Sequence, residues 1–196
     1  TEVLPYFEKH TDYKLDCFIS RYSNHIDNYI SKNKDSLVDY DSLIVMGGDG
    51  MMHLTLNSLF KNKLDISLGI IPTGSGNGLV KSIFYERCRE EYTRLDCYEL
   101  IKEYSIKKID TINVSSTSGY LTSFLAISWG IVSDLDINTE FMRCIGNMRF
   151  NIGAVWNILR RKAYVGCLTF KQENGQFRKV TGRFLHLWAG NSTYAS

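Results

Sequence analysis

The sequence predicts an α/β chain in two parts: a three-layer α/β domain over residues 1–105, then the first part of an antiparallel β-sandwich-type domain over 106–196. Three observations carry this. In the first half, short apolar runs alternate with segments of helical spacing, the pattern of parallel strands joined by helices. Two glycine-rich loops, Gly47-Gly48-Asp49-Gly50 and Pro72-Thr73-Gly74-Ser75-Gly76-Asn77, each follow an apolar run and precede a helix-like stretch. Past residue 105 the pattern changes to strand-like runs joined in pairs by turn-rich stretches.

In chain order, residues 14–19 read as a strand. Residues 24–34 read as a helix, with Ile26, Tyr29 and Ile30 at helical spacing. Residues 42–46 form a short apolar run suited to a strand buried on both faces. A helix is expected over 51–60, a strand over 67–71, and helices over 77–85 and 91–103. Two strands, 107–115 and 120–129, flank Ser116-Thr117-Ser118-Gly119, a stretch suited to a hairpin turn. An irregular acidic segment (133–140) and a helix over 148–162 follow. Residues 164–171 and 178–189 form a second hairpin around Glu173-Asn174-Gly175. The chain has no initiator Met and closes in a strand-like stretch, so a piece of a longer protein, incomplete at both ends, is expected.

Bulk properties narrow the function classes. Of 196 residues 44% are apolar and 13% aromatic, enough for a packed core. A net charge of +2 lacks the basic footprint of a nucleic-acid binder, so no nucleic-acid partner is expected. Cys17, Cys88, Cys97, Cys144 and Cys167 are scattered without C-x-x-C spacing. They predict neither a zinc site nor a disulfide framework, and fit reduced thiols in a cytoplasmic protein. No run approaches the roughly 20 apolar residues of a membrane span.

The glycine loops carry the chemistry. Loops without side-chain bulk let backbone N–H groups close on phosphate oxygens, and the helix start behind each favours negative charge. Asp49 adds a group able to accept a proton, and the combination suggests phosphoryl transfer from a nucleotide. Read alone, the first loop is also compatible with a strand-to-helix turn with Asp49 near an N-cap position. The second loop runs Gly74, Gly76, Gly78 and so fails the G-x-G-x-x-G fingerprint; with no Lys-Ser/Thr pair after it, it is not a Walker loop either. Asp134 and Asp136, two apart in a segment after a strand, face the same side if extended. They suit an amine or Mg²⁺, or else a solvated turn. Arg143 and Arg149 suit phosphate clamping or surface ion pairs. His53, one turn into the helix after Asp49, is expected to pack or orient that loop rather than react. His10, His25 and His186 have no partner visible in the sequence.

Together these segments resemble the sphingosine kinases, within the diacylglycerol-kinase-like lipid kinase superfamily. Leu43-Ile44-Val45-Met46-Gly47-Gly48-Asp49-Gly50-Met51-Met52-His53 is similar to the family's strand and GGDG loop, and Ile71-Pro72-Thr73-Gly74-Ser75-Gly76-Asn77-Gly78-Leu79 to its second loop. Trp129-Gly130-Ile131-Val132-Ser133-Asp134-Leu135-Asp136, continuing through Arg143 to Gly146-Asn147-Met148-Arg149-Phe150, resembles the W-G-x-x-x-D-x-D … R-x-x-G-x-x-R-F stretch of sphingosine kinases. The resemblance covers residues 14–170.

It implies a lipid kinase that uses ATP and Mg²⁺ to phosphorylate the primary hydroxyl of a sphingoid base. Asp49 would be the general base. Gly48, Gly50, Thr73, Gly74, Ser75, Gly76 and Asn77 would contact nucleotide, with Ser20 and Asn24 on its adenosine side and Arg143 and Arg149 on its phosphates. Asp136, helped by Asp134, would bind the ammonium head group, beside Gly47. Ile131, Val132 and Phe150 would line the lipid tail. A peripheral, transient contact with a membrane surface is implied by such a substrate. The chain departs from the family at Leu54, where a Glu is usual. Another lipid kinase acting on diacylglycerol or ceramide, an NAD kinase, and a noncatalytic nucleotide- or lipid-binding module are the alternatives.

Overall fold

The computed structural model describes residues 3–10, 13–117, 119–130 and 163–194. Two compact units form, Thr1–Leu125 with Asn191–Ser196, and Ala126–Gly190. The expected change at residue 105 is a change of pattern rather than of compact unit, because the hairpin that follows it packs with the first unit.

The first unit opens with α1 (Val3–His10) and α2 (His25–Leu37), followed by β1 (Ser42–Gly47), α3 (Asp49–Asn62), β2 (Ser67–Pro72), α4 (Gly78–Glu86) and α5 (Arg94–Lys102). Strands β1 and β2 pair in parallel from Ser42↔Ser67 to Gly47↔Pro72. Side chains alternate across the pair, as strand geometry requires. Ile44 and Ile71 turn toward Phe7 of α1 and Tyr98 of α5. Val45 and Ile70 pack with Met52 of α3 and Val80 and Phe84 of α4. Leu43 and Leu68 meet Ile26, Ile30 and Leu37 of α2 and Leu59 of α3. Helices thus cover both faces, the three-layer arrangement expected from the alternation. Helix α1 was not anticipated; Val3, Tyr6 and Phe7, three and four apart, are the stripe that packs it and the signal that marks it.

Residues 14–19, expected as a strand, form no ladder. Leu15 joins the Phe7–Tyr98 cluster and Phe18 the α2 cluster, so two anchors in different clusters hold the segment in place of a strand partner. Helix α5 begins with a capping box: Asp96 N–H donates to Thr93 Oγ1 and Thr93 N–H to Asp96 Oδ2.

Hairpin β3 (Ile112–Ser116) and β4 (Gly119–Ser123) is antiparallel, as expected. Asn57 of α3 ties it down. Thr122 N–H donates to Asn57 Oδ1 at 2.8 Å, and Asn57 Nδ2 donates to the Thr122 carbonyl at 2.9 Å, so one amide side chain acts as a short strand partner. Buried Phe124 then ends the run, where a single strand over 120–129 was expected. Residues 191–194 return to this unit. Asn191 N–H donates to the Leu125 carbonyl at 2.7 Å, and Tyr194 N–H to Ser82 Oγ of α4 at 2.9 Å.

The second unit contains β5 (Ala126–Gly130), β6 (Tyr164–Lys171), β7 (Phe177–Phe184) and β8 (His186–Gly190). Two antiparallel pairs form, β5 with β8 and β6 with β7. The expected run 178–189 is broken at Leu185, whose carbonyl lies where a Cβ on Gly130 would be, at 2.4 Å. Gly130 also has φ +97°, so only glycine serves there. The Trp129 ring meets Tyr164 and Phe184. A cavity of about 290 Å³ is lined by Trp129, Gly166, Cys167, Leu168, Phe184 and Leu187. The segments 133–140 and 148–162 lie outside the described residues.

Candidate active site

Parallel pairing puts the ends of β1 and β2 side by side, and a glycine loop leaves each. The Thr73 N–H donates to the Gly47 carbonyl at 3.0 Å, extending the ladder by one bond into the loops. Beyond it the backbones touch. A Cβ on Gly74 would sit 2.7 Å from Gly48 Cα, and one on Gly48 would sit 3.1 Å from Gly74 Cα. Gly48 and Gly74 are therefore demanded by loop-on-loop contact. Gly50 meets nothing within 4 Å and is not demanded sterically.

Asp49 is the first residue of α3, with Gly48 as N-cap. Its carboxylate does not cap α3. Oδ2 accepts from the Gly78 N–H at 2.7 Å and Oδ1 from the Leu79 N–H at 3.1 Å, so Asp49 caps α4 instead. The sequence left open a substrate-facing Asp49 or one near its own N-cap; the structure joins it to a second helix, through partners 29 and 30 residues away. The α4 N-cap, Asn77, has φ 55° and makes no side-chain cap bond, which leaves that helix start to Asp49. An ionised carboxylate has about four acceptor positions, so two remain beyond the α4 amides.

Asn77 Nδ2 donates to the Gly74 carbonyl at 2.7 Å and holds the second loop closed. Its Oδ1 is buried with no hydrogen-bond partner. Thr73, Gly74 and Ser75 are exposed, and among the described residues the N–H groups of Gly74, Ser75 and Gly76 have no acceptor. Free amides on an exposed loop beside two helix starts form a surface suited to an anion. Sequence reasoning missed Tyr92. Its ring stacks on Phe84 at 4.9 Å, and its phenol is pushed above the ordinary value, first by burial and then by the nearby Cys97 and Asp49, against a lowering bond from Asn77. Lying 43 residues beyond Asp49, in the linker before α5, Tyr92 has no motif to mark it.

His53 is half-buried, and burial holds its imidazole below the usual value; its ring faces the Asn57 amide, as a packing residue does. His25 does have a partner. Its Nδ1 accepts from the Arg21 N–H at 3.0 Å, and its ring stacks on Tyr22 at 4.3 Å. Ser20 Oγ donates to the Tyr22 carbonyl, and exposed Asn24 is the N-cap of α2 without a side-chain cap bond. Leu54 is exposed on α3. Ile131, Val132, Asp134, Asp136, Arg143, Arg149 and Phe150 lie outside the described residues. Among the described residues no group of three or more His, Cys, Asp or Glu is placed to hold a metal, and no helix is long and apolar enough to cross a membrane.

The fold and the touching loops define an α/β protein with a loop-built site at the carboxyl ends of parallel strands, the usual ligand position in such sheets. Residues 1–114 match the diacylglycerol kinase catalytic domain, and the chain belongs to that family. Human sphingosine kinase 2 is 32% identical over 145 residues, covering 69% of this chain and 22% of that protein. Sphingosine kinase 1 of Arabidopsis thaliana is 28% identical over 179 residues, covering 86% of this chain and 35% of that protein. Sphingosine kinase 1 of Rattus norvegicus, 32% identical, is covered over 38% of its length, so the chain spans well under half of these curated relatives. The crystal structure of a diacylglycerol kinase from Bacillus anthracis str. Sterne superposes with a TM-score of 0.63 at 17% identity, over 98% of this chain and 57% of that one.

Proposed function

We propose that this chain is the nucleotide-binding part, with the start of the substrate part, of a lipid kinase that transfers the γ-phosphate of ATP to the primary hydroxyl of sphingosine or a related sphingoid base. One observation carries the reading: two glycine loops in backbone contact, with Asp49 held between them. Similarity to sphingosine kinases of three organisms supports the substrate class.

ATP with Mg²⁺ supplies the phosphoryl group and neutralises its charge as the bond to ADP loosens. The residues present suit such a ligand. The N–H groups of Gly74, Ser75 and Gly76, without acceptors among the described residues, suit phosphate oxygens. For Mg²⁺ no described residue is assigned as a ligand, and an ion that keeps several waters would be held largely through the nucleotide's phosphates. Gly48, Gly50 and Thr73 to Asn77 hold the phosphates, and Ser20 and Asn24 flank the adenosine. Asp49, oriented by the two α4 amides, takes the hydroxyl proton on a free lone pair. Arg143 and Arg149 stabilise the phosphates, Asp136 with Asp134 pairs with the ammonium, and Ile131, Val132 and Phe150 contact the tail. Gly47 lies beside the acceptor. Such an enzyme works in the cytoplasm with transient membrane contact.

The test is a labelled-ATP assay of the full-length protein on sphingosine, ceramide, diacylglycerol and NAD. Sphingosine is the expected acceptor, and preference for any other overturns the substrate assignment. Asp49→Asn should keep nucleotide binding and lower turnover by about 10²-fold or more, the scale of general-base effects. Unchanged turnover removes Asp49 from the chemistry.

A further inference from the structure

We propose that Ser82 is a positioning residue for Asp49, which it reaches through the first peptide of α4. Ser82 is a buried polar side chain, 6% exposed, one turn beyond the start of that helix. Its Oγ donates to the Gly78 carbonyl at 2.8 Å. A serine inside a helix commonly makes this bond to the residue four before it, so the bond alone would be structural. The peptide that it reaches is what gives it a further role. The Gly78 carbonyl and the Leu79 N–H are the two ends of one planar amide, and that N–H donates to Asp49 Oδ1 at 3.1 Å. A hydroxyl donating at one end of this amide strengthens and orients the donor at the other, as hydrogen bonds in a chain polarise one another.

The hydroxyl is itself held. Tyr194 N–H donates to Ser82 Oγ at 2.9 Å, from 112 residues along the chain. The Tyr194 carbonyl, 3.3 Å from Ser82 Oγ, is a second acceptor, but it already accepts from Ser192 Oγ at the shorter 2.7 Å. The Ser82 proton therefore goes to Gly78. One directed chain results: Tyr194 N–H to Ser82 Oγ, Ser82 O–H to the Gly78 carbonyl, Leu79 N–H to Asp49 Oδ1. The Gly78 N–H, 2.7 Å from Asp49 Oδ2, belongs to the preceding peptide and stands outside it. Without the hydroxyl, the longer of the two bonds holding the carboxylate slackens, and the carboxylate can turn about the other. The catalytic role rests on the reading of Asp49 as proton acceptor; the chain of bonds does not. Residues 191–194, where the polypeptide rejoins the first unit, thus bear on how Asp49 is aimed.

The experiment is a double-mutant cycle on the full-length protein with Ser82→Ala and Asp49→Asn, read with labelled ATP and whichever of the four acceptors is phosphorylated. Ser82→Ala alone should lower kcat by about tenfold, less than loss of the base itself, with KM for ATP and for the acceptor unchanged. Added to Asp49→Asn it should lower kcat no further, because its effect passes through the carboxylate. Amide exchange is measured in parallel on the ligand-free protein. In Ser82→Ala it should be about fivefold faster at Leu79, the net worth of one hydrogen bond, and unchanged in α5. An unchanged kcat, an equal fall on the Asp49→Asn background (the mark of a general defect in α4), or unchanged exchange at Leu79 overturns the proposal. A wild-type that phosphorylates none of the four acceptors, while exchange at Leu79 responds as expected, sinks the kinase reading alone and leaves Ser82 as the group that orients Asp49.

Discussion

Asp49 holds α4 through two backbone amides, so its replacement has two separable effects. Asn keeps one acceptor for the helix start and loses the proton acceptor, which is why it is the variant to assay. The glycines around it are not equivalent. Gly74→Ala would set a methyl 2.7 Å from Gly48 Cα and 3.0 Å from Asn77 Oδ1, so the backbone must move. A loss of about 1–3 kcal/mol is expected, the usual cost of overpacking. Gly50→Ala meets open space inside a helix and should gain up to about 1 kcal/mol. Melting curves of the ligand-free protein should move in opposite directions; a parallel shift would refute the loop contact. If the alanine at 50 also weakens ATP binding, nucleotide lies against that residue.

At the scale of elements, two devices fix the helices that frame the site. Asn57 gives Thr122 both a donor and an acceptor, tying α3 to the β3–β4 hairpin. Asn57→Ala strips both partners from a part-buried peptide and should cost about 2 kcal/mol. A fall of roughly 4–8 °C in melting temperature would follow. The capping box of α5 responds to acid. Bonds from the Thr93 hydroxyl and N–H, then from Arg89, hold the Asp96 carboxyl down at about 2. An unfolded Asp titrates near about 4, so the folded state binds this proton less readily. The stabilisation is complete above about pH 4 and disappears as pH falls through about 2. Asp96→Asn should remove that part of the acid dependence in pH-dependent melting; an unchanged acid limb would assign it to other carboxyls.

Over the whole molecule, what was legible in the sequence was local. Strands β1 and β2 were legible because a short apolar run leading into a glycine-rich loop suits little else, and the helices because their apolar residues recur at helical spacing. What depends on distant partners was not. Residues 14–19 carry a strand-like pattern yet find no ladder, and α1 shows its stripe only once Tyr98 is there to receive it. The same limit holds at the site. The glycine loops announce themselves, but that they touch, that Asp49 caps the helix after the other loop, and that Tyr92 comes near are facts of packing.

The bond from Asn191 N–H to the Leu125 carbonyl has a consequence for modularity. Residues 126–190 begin and end at neighbouring points of the first unit, so in connectivity they are a cassette inserted into an α/β host. Cutting them out leaves two chain ends already a hydrogen bond apart, and a short splice would restore an unbroken polypeptide. Recombination could exchange such a cassette while the host and its paired loops stayed as they are.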